Sequence, residues 1–391
     1  MRTQVAIVGA GPAGLVLARL LQLQGIDSIV LERRDRAYIE QRLRAGVLEQ
    51  GTVDLLRAAG VGARLDREGL RHTGFAIQFE GARHRIALDE LTGGRAITVY
   101  GQQEVVKDLI AARLADGLPI VFEAADVALE GVDGDHPRVR YLAGGEPHEI
   151  ECDFVAGCDG FHGVCRPMIP DGALRIFQRV YPFAWLGILA ATPPSSHELI
   201  YAYHERGFAL HSMRSPALTR LYVQCPPGDQ IADWPDERIW GELDARLELS
   251  DGWRLAEGPV LEKSITQMRS FVAEPMQYGR LFLAGDAAHV VPPTGAKGMN
   301  LAVADARMLA EALAAHYHGG RADLLAAYSD TCLRRVWRAE HFSWWMTSML
   351  HRFEGDDAFQ QRLQISQLRY TVSSRAAAAS LAENYVGLEQ V

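Results

Sequence analysis

The chain has 391 residues, is 48% hydrophobic and 23% charged, and carries a formal net charge of −9. That length supports two or three domains with a substantial core. The negative balance argues against nucleic acid as a partner, because no overall basic field draws phosphates in. No apolar run approaches the roughly 20 residues that span a bilayer, so no membrane partner is expected. The five cysteines (Cys152, Cys158, Cys165, Cys225, Cys332) form neither CxxC pairs nor a zinc-like spacing, and no metal is expected. The chain enters a strand within a few residues of Met1 without a leader pattern, which suits a cytoplasmic location.

In chain order, "QVAIV" reads as a strand buried on both faces and "PAGLVLARLLQLQG" as a helix stopped by Gly25. "DSIVLE" is a second buried strand, completing a strand–helix–strand unit. Gly9, Gly11 and Gly14 stand between the first strand and the helix as GxGxxG. The first glycine permits the tight turn, the second lets a pyrophosphate approach, and the third lets helix and strand pack closely. The helix start adds free N–H groups and a positive dipole end. Glu32 ends the second strand, where a carboxylate can accept from ribose hydroxyls. These residues predict a dinucleotide site without separating FAD from NAD.

"RRDRAYIEQRLR" then clusters Arg33, Arg34, Arg36, Arg42 and Arg44. Guanidiniums in such number suit the 2′-phosphate of NADPH; a solvated helix face and the use of NADH stay open. "VLEQGTVDLLRAAG" and "QQEVVKDLIAARLADG" read as amphipathic helices, and "PRVRYLAGG" and "EIECDFVAGCDG" as strands. From about Tyr181 short aromatic and β-branched runs alternate with turn signals ("FAWLGILAA", "HELIYAY", "GFALHSMRS", "TRLYVQC"), which predicts an antiparallel sheet. After "LFLAGD" the chain is predicted helical to its end, including "LAVADARMLAEALAAHY" and the tryptophan-rich "RRVWRAEHFSWWMTSML".

A second glycine- and aspartate-bearing loop, "AGDAAHVVPPTGAKGMN", covers residues 284–300. Its strand delivers Asp286 to the top of a sheet, where it can bond hydroxyls in the middle of a dinucleotide. The helix starting near Gly298 points its N-terminus at whatever lies above, which favours an anionic reduced flavin. One cofactor with ADP at one end and flavin at the other uses both loops, so FAD is expected. The fold class is accordingly mixed α/β (α+β): a Rossmann-like FAD-binding domain begins over 1–180, an antiparallel substrate sheet follows over 181–268, and 269–391 completes the first domain and adds C-terminal helices.

In "ALHSMRSPALTRLYVQ", Ser212 and Arg214 face one side of a strand, as do Arg220 and Tyr222. With an odd loop between them all four share a face, and two hydroxyls beside a guanidinium form a fork for a carboxylate. A solvated polar sheet face is the alternative. His211 stands next to this set, where a titratable ring would alter pH dependence.

GxGxxG near the start, "CDG" at Cys158–Gly160 and "GDAAH…PPTGAKGMN" together resemble the single-component flavoprotein aromatic hydroxylases. The likeness runs the length of the chain, through "RLRAGVLEQGTVDLLR", "AGCDGFHG", "SHELIYA", "RSFVAEPMQ", "FSWWMTSMLHRF" and "AENYVGL". The resemblance implies NAD(P)H- and O2-dependent hydroxylation of 4-hydroxybenzoate to 3,4-dihydroxybenzoate, by way of a flavin C4a-hydroperoxide, in a homodimer. It places the substrate carboxylate on Ser212, Arg214 and Tyr222, the phenol near the Pro293 carbonyl, and Val47, Leu199, Leu210 and Trp185 around the ring. Tyr201, Tyr385 and His72 form its proton relay. The need is chemical: electrophilic oxygen transfer favours a phenolate, and a phenolic proton with pKa near 10 has to leave a buried pocket.

The implied FAD contacts are Gly9, Gly11, Ala13, Gly14, Glu32, Arg42, Arg44, Ala45, Gly46, Val47, Gln102, Arg220, Asp286, Met299 and Asn300, with Lys297 adding positive charge. Ala13 replaces a serine found in some members. The implied NAD(P)H surface is Arg33, Tyr38, Arg42, Arg44, His162, Arg166 and Arg269. Rival readings are a hydroxylase of a different phenolic acid, a flavoprotein reductase or oxidase, and a nucleotide-binding regulator without turnover.

Overall fold

The computed structural model describes residues 1–42 and 46–387; Arg44 and Ala45 lie outside the described residues. A six-stranded sheet has Val5–Val8 near its centre, flanked by Phe154–Gly157 and Ser28–Leu31. Both pairings are parallel, and all three strands are buried throughout, as expected where both faces are covered. Leu281–Leu283 pairs with Phe154–Gly157 and ends at the second glycine loop. Both cofactor-type loops therefore leave the same sheet.

The first loop is dictated by its glycines. Gly9 has φ +110°, and a Cβ there would sit 2.3 Å from the Cys158 carbonyl oxygen. A Cβ on Gly14 would lie 2.0 Å from the Gly9 carbonyl oxygen, so any side chain would force the helix Pro12–Leu23 off the strand. Pro12 opens that helix at a position where its missing N–H costs nothing.

The second large sheet has eight strands. Its longest members, Arg175–Ala190 and Val260–Glu274, pair antiparallel. Leu218–Cys225, Ala209–Ser215 and Ile200–Ala202 follow across the sheet. The hairpin Gly74–Phe79 and Ala82–Ala87 then joins through a parallel pairing of Ala76 with Ile200. The sheet thus draws on residues well before 181, and its two longest strands run through positions 180 and 268.

The helices Tyr328–Leu350, Ala358–Ser373 and Arg375–Val386 contribute to one core cluster with Phe75, Tyr201 and Phe208 of this sheet. Trp234 and the helix Asp236–Leu247 join a separate cluster with other sheet residues. Among the described residues no helix is long and apolar enough to cross a membrane.

Candidate active site

The cofactor-type cradle offers donors and acceptors with little competition. A Cβ on Gly11 would meet nothing within 4 Å, leaving backbone open to a close approach. Glu32 accepts from the backbone N–H groups of Ala10 (2.9 Å) and Arg34 (2.8 Å), which fixes its carboxylate while leaving lone pairs free. Asp286 is half-buried and has no hydrogen-bond partner among the described residues. The helix Gly298–Gly319 begins on Lys297, with Leu301 making the first i→i−4 bond, so its first turn presents unpaired N–H groups. This donor set fits a dinucleotide carrying a flavin. The side chain of Asn300 is committed within the protein. Its Oδ1 accepts from Glu49 N–H and Thr52 Oγ1, and its Nδ2 donates to the Val47 and Ala296 carbonyls. Only its backbone remains available.

Register gathers the substrate-type residues. Tyr201 lies opposite Leu210, Leu210 opposite Tyr222, and Tyr222 opposite Gly187. Ser212 pairs with Arg220 two positions along, so these residues and Trp185 share one sheet face. The turn itself, Pro216 and Ala217, is even, and Ser212 meets Arg220 only because the register shifts between Met213 and Ser215, leaving Arg214 as the extra, unpaired residue. Gly187 is a member that sequence reasoning missed. A Cβ there would lie 2.8 Å from the Arg220 guanidinium and 3.2 Å from the Tyr222 ring. Its bare backbone makes room for both.

Arg214 is partly buried, donates to the Met213 carbonyl, and has no carboxylate partner among the described residues. Burial lowers its affinity for its proton, and a bound anion would restore it. Arg220 instead bonds Ser264 Oγ (3.3 Å) and Glu262 (3.4 Å). Pro293 is exposed, and its carbonyl accepts from Ala296 N–H (2.9 Å) with one lone pair to spare.

The Tyr201 and Tyr385 hydroxyls lie 2.6 Å apart and are buried. Burial raises both above the usual phenol value, so both stay neutral hydroxyls. Phe75 packs against both rings. Tyr385 reaches this place from the far end of the chain because Lys297 holds its helix: Nζ donates to the carbonyls of Asn384 and Tyr385 and pairs with Glu49 at 2.6 Å. The charge expected near the helix start is therefore committed to a buried ion pair, which Arg335 completes at 3.2 Å. His72, the third residue of the expected relay, is buried and bonds to neither tyrosine, and its Nδ1 has no partner among the described residues.

His211 corrects an expectation. Strand alternation turns it away from the Ser212 face, and its Nε2 accepts from Ser195 N–H at 3.1 Å. Burial lowers His72 and His211 to about 4 and His351 to about 3. An unfolded histidine titrates near 6.5, so these groups stabilise the fold fully above that value, and the contribution is lost as pH falls towards 4. His289 opposes them: burial lowers it, but Asp305 at 2.6 Å wins and raises it. Burial lowers His204 in the same way, while Glu340, pushed up by burial to about 7, opposes together with His289. With four lowered histidines against these two groups, the melting temperature is expected to be lower at about pH 5 than at about pH 7. His211→Gln flattens that fall, and an unchanged or higher melting temperature at pH 5 contradicts the assignment.

The nicotinamide-type residues form two groups. Tyr38 is exposed beneath the guanidiniums of Arg34 (4.9 Å) and Arg42 (5.8 Å), and Arg33 is exposed nearby in sequence. His162, Arg166 and Arg269 converge on Phe161, which sequence reasoning did not single out. Arg166 donates to the Ala287 and Phe161 carbonyls at 2.7 Å each, tying the "CDG" loop to the Asp286 loop. Gln102 opens the helix Gln102–Ala115, and Gly46 is wedged against the Tyr100 carbonyl, 2.2 Å from where its Cβ would be. Ala13 is buried and Met299 partly buried. No cluster of metal-ligating side chains occurs among the described residues.

Residues 2–343 match the FAD binding domain family, to which the chain belongs as an FAD-dependent aromatic hydroxylase. The p-hydroxybenzoate hydroxylase of Acinetobacter baylyi is 50% identical to it over 388 residues, covering 99% of this chain and 96% of the relative. The 3-(3-hydroxy-phenyl)propionate/3-hydroxycinnamic acid hydroxylase 2 of Burkholderia vietnamiensis is 27% identical over 81% of this chain, which spans 58% of that relative. Among solved structures, p-nitrophenol 4-monooxygenase PnpA of Pseudomonas putida shares the fold, with TM-score 0.86 at 18% identity over the full length of both chains. FAD is the cofactor and NAD(P)H the electron donor.

Removing the Asp286 carboxylate, which has no hydrogen-bond partner among the described residues, tests the cofactor reading. Asp286→Ala weakens FAD binding about tenfold or more, the loss of a charge-assisted hydrogen bond. The flavin-to-protein absorbance ratio after purification checks this, and full flavin retention would refute it.

Proposed function

We propose that the substrate is 4-hydroxybenzoate and the product 3,4-dihydroxybenzoate. The observation that carries this reading is a single sheet face holding two complementary ends. Arg214, a partly buried guanidinium without a carboxylate partner among the described residues, stands at the register shift beside Ser212, and Tyr201, whose hydroxyl bonds that of Tyr385 on a C-terminal helix, lies further along the Ser212 face. A benzoate with a para hydroxyl presents a carboxylate and a phenol at opposite ends of one ring.

Ser212, Arg214 and Tyr222 hold the carboxylate, and Val47, Leu199, Leu210 and Trp185 surround the ring and exclude water. Tyr201 accepts the phenolic proton and passes it to Tyr385. His72 receives it further out, through water, because no direct bond joins it to Tyr385. The Pro293 carbonyl faces the phenol. Bound FAD supplies the redox chemistry, reduction by NAD(P)H and activation of dioxygen. Gly9, Gly11, Ala13, Gly14, Glu32 and Asp286 hold its ADP and ribityl parts. The segment 42–47, Gln102, Arg220, Met299 and the backbone of Asn300 border its ring.

NADPH is the preferred donor, read by Arg33, Tyr38, Arg42 and Arg44, with His162, Arg166 and Arg269 around Phe161 completing its surface. The division into 1–180, 181–268 and 269–391 belongs to the same reading, with the hairpin at 74–87 as an excursion into the substrate sheet. So does a cytoplasmic homodimer. Its support is the apolar surface left on the C-terminal helices by Trp344, Phe359, Leu363 and Tyr370, and light scattering at twice the chain mass tests it.

The substrate is tested by offering the flavin-loaded protein 4-hydroxybenzoate and 3-(3-hydroxyphenyl)propionate with NADPH and separating the products. The reading requires 3,4-dihydroxybenzoate from the first acid and little or no hydroxylated product from the second. The reverse pattern overturns it.

A further inference from the structure

His351 is a buried titratable group that the mechanism above does not use. It stands at the end of the helix Tyr328–Leu350, fully enclosed, and both ring nitrogens are committed. Nδ1 lies 3.0 Å from the Thr347 carbonyl, which can only accept, so Nδ1 carries the proton. Nε2 then has a free lone pair, and it takes the indole N–H of Trp185 at 2.7 Å. The two rings are nearly coplanar, 9° apart, because the bond joins them edge to edge. Phe183 and Phe208 stack on the imidazole at 4.7 and 4.3 Å.

Trp185 in turn packs on Tyr222, ring centroids 5.0 Å apart. Its indole N–H is a donor only, 97% of the residue is out of solvent contact (3% exposed), and a buried donor without a partner is costly. An aliphatic or phenyl side chain at 351 would fill the space and leave that donor unmet, so the indole would turn to find another acceptor.

We propose that His351 is a positioning residue for substrate binding: through the Trp185 indole it fixes the wall on which Tyr222 and the aromatic ring of the acid rest. The inference rests on reading that face as the 4-hydroxybenzoate site. It assigns specificity to a side chain that lies behind the wall and bonds to its indole.

The test uses flavin-loaded protein and the dissociation constant of 4-hydroxybenzoate, followed by the change in flavin fluorescence. His351→Phe weakens binding by about tenfold, while the KM for NADPH moves less than about twofold. His351→Gln restores binding to within about threefold, because its amide can accept from the indole and donate to Thr347. In a Trp185→Phe background the His351→Phe change costs less than about twofold, since the donor it acts through is gone.

Unchanged affinity in His351→Phe, an equal loss in His351→Gln, or a loss that persists in Trp185→Phe overturns the inference. If His351→Phe does not retain flavin, His351→Met takes its place, and equal affinity of the Met and Gln variants overturns it as well. A wild-type holoenzyme that does not bind 4-hydroxybenzoate overturns the substrate reading instead, and the two failures are told apart by which protein fails.

Discussion

Arg214→Ala weakens 4-hydroxybenzoate binding to the flavin-loaded protein by about 10²–10³-fold, in line with removing one partner of a desolvated charge pair. The reason lies in what surrounds the guanidinium. It is partly buried, burial already depresses its hold on its proton, and its hydrogen bond is to its neighbour's carbonyl. A carboxylate arriving there completes an ion pair that the protein leaves open, whereas Arg220, close by, is already engaged with Glu262 and Ser264. Arg214→Lys recovers only part of the affinity, because an ammonium cannot reproduce the planar fork. Flavin retention stays at the wild-type level. Equal substrate affinity in Arg214→Ala and wild type, measured by flavin fluorescence, would remove the carboxylate clamp from the account.

Tyr201→Phe has the other large effect, and on a different step. Substrate binding changes modestly, but formation of 3,4-dihydroxybenzoate falls by about 10²–10⁴-fold, the range for losing a positioned proton acceptor. NADPH oxidation continues and its electrons appear as hydrogen peroxide. Only the phenol end of the site is altered, since the hydroxyl pair with Tyr385 is the feature removed. Tyr385→Phe gives the same pattern more weakly, because the Tyr201 hydroxyl still hydrogen-bonds the phenol but has lost the partner that takes its own proton as it accepts the substrate's. Full hydroxylation by Tyr201→Phe, by product assay against NADPH consumed, would sink the relay.

Much of this was legible in the sequence wherever the signal is local. The strand–GxGxxG–helix unit is dictated by sterics within about 30 residues, and the structure shows the collisions that make Gly9 and Gly14 necessary. Strand alternation put Ser212 on one face with Arg220 and Tyr222, as the register shows, but it did not announce the register shift at Arg214, because a one-residue bulge beside a two-residue turn leaves no local signature. Alternation also contains the correction to His211: an odd neighbour of Ser212 belongs to the opposite face.

What was not legible depends on pairing across long stretches of chain. Nothing in residues 74–87 announces a parallel pairing with Ile200–Ala202 more than a hundred residues later, because the local pattern of a strand does not name its partner. Gly187 reads as a weak spot in an apolar strand until register sets it beside Tyr222 and Arg220. Lys297 reads as positive charge for a ligand until Glu49 is found 2.6 Å away. His351, just past the end of a tryptophan-rich helix, carries no motif; only the indole of Trp185 against its ring gives it a purpose.

The central claim is that this flavoprotein couples NADPH oxidation to hydroxylation of 4-hydroxybenzoate. The most direct test follows NADPH consumed, 3,4-dihydroxybenzoate formed and peroxide released in one reaction of the flavin-loaded protein, with and without the acid. The account predicts strong stimulation of NADPH oxidation by the acid and close to one product formed per NADPH consumed. Stimulation that ends mainly in peroxide, or none from a fully flavin-loaded sample, would contradict it.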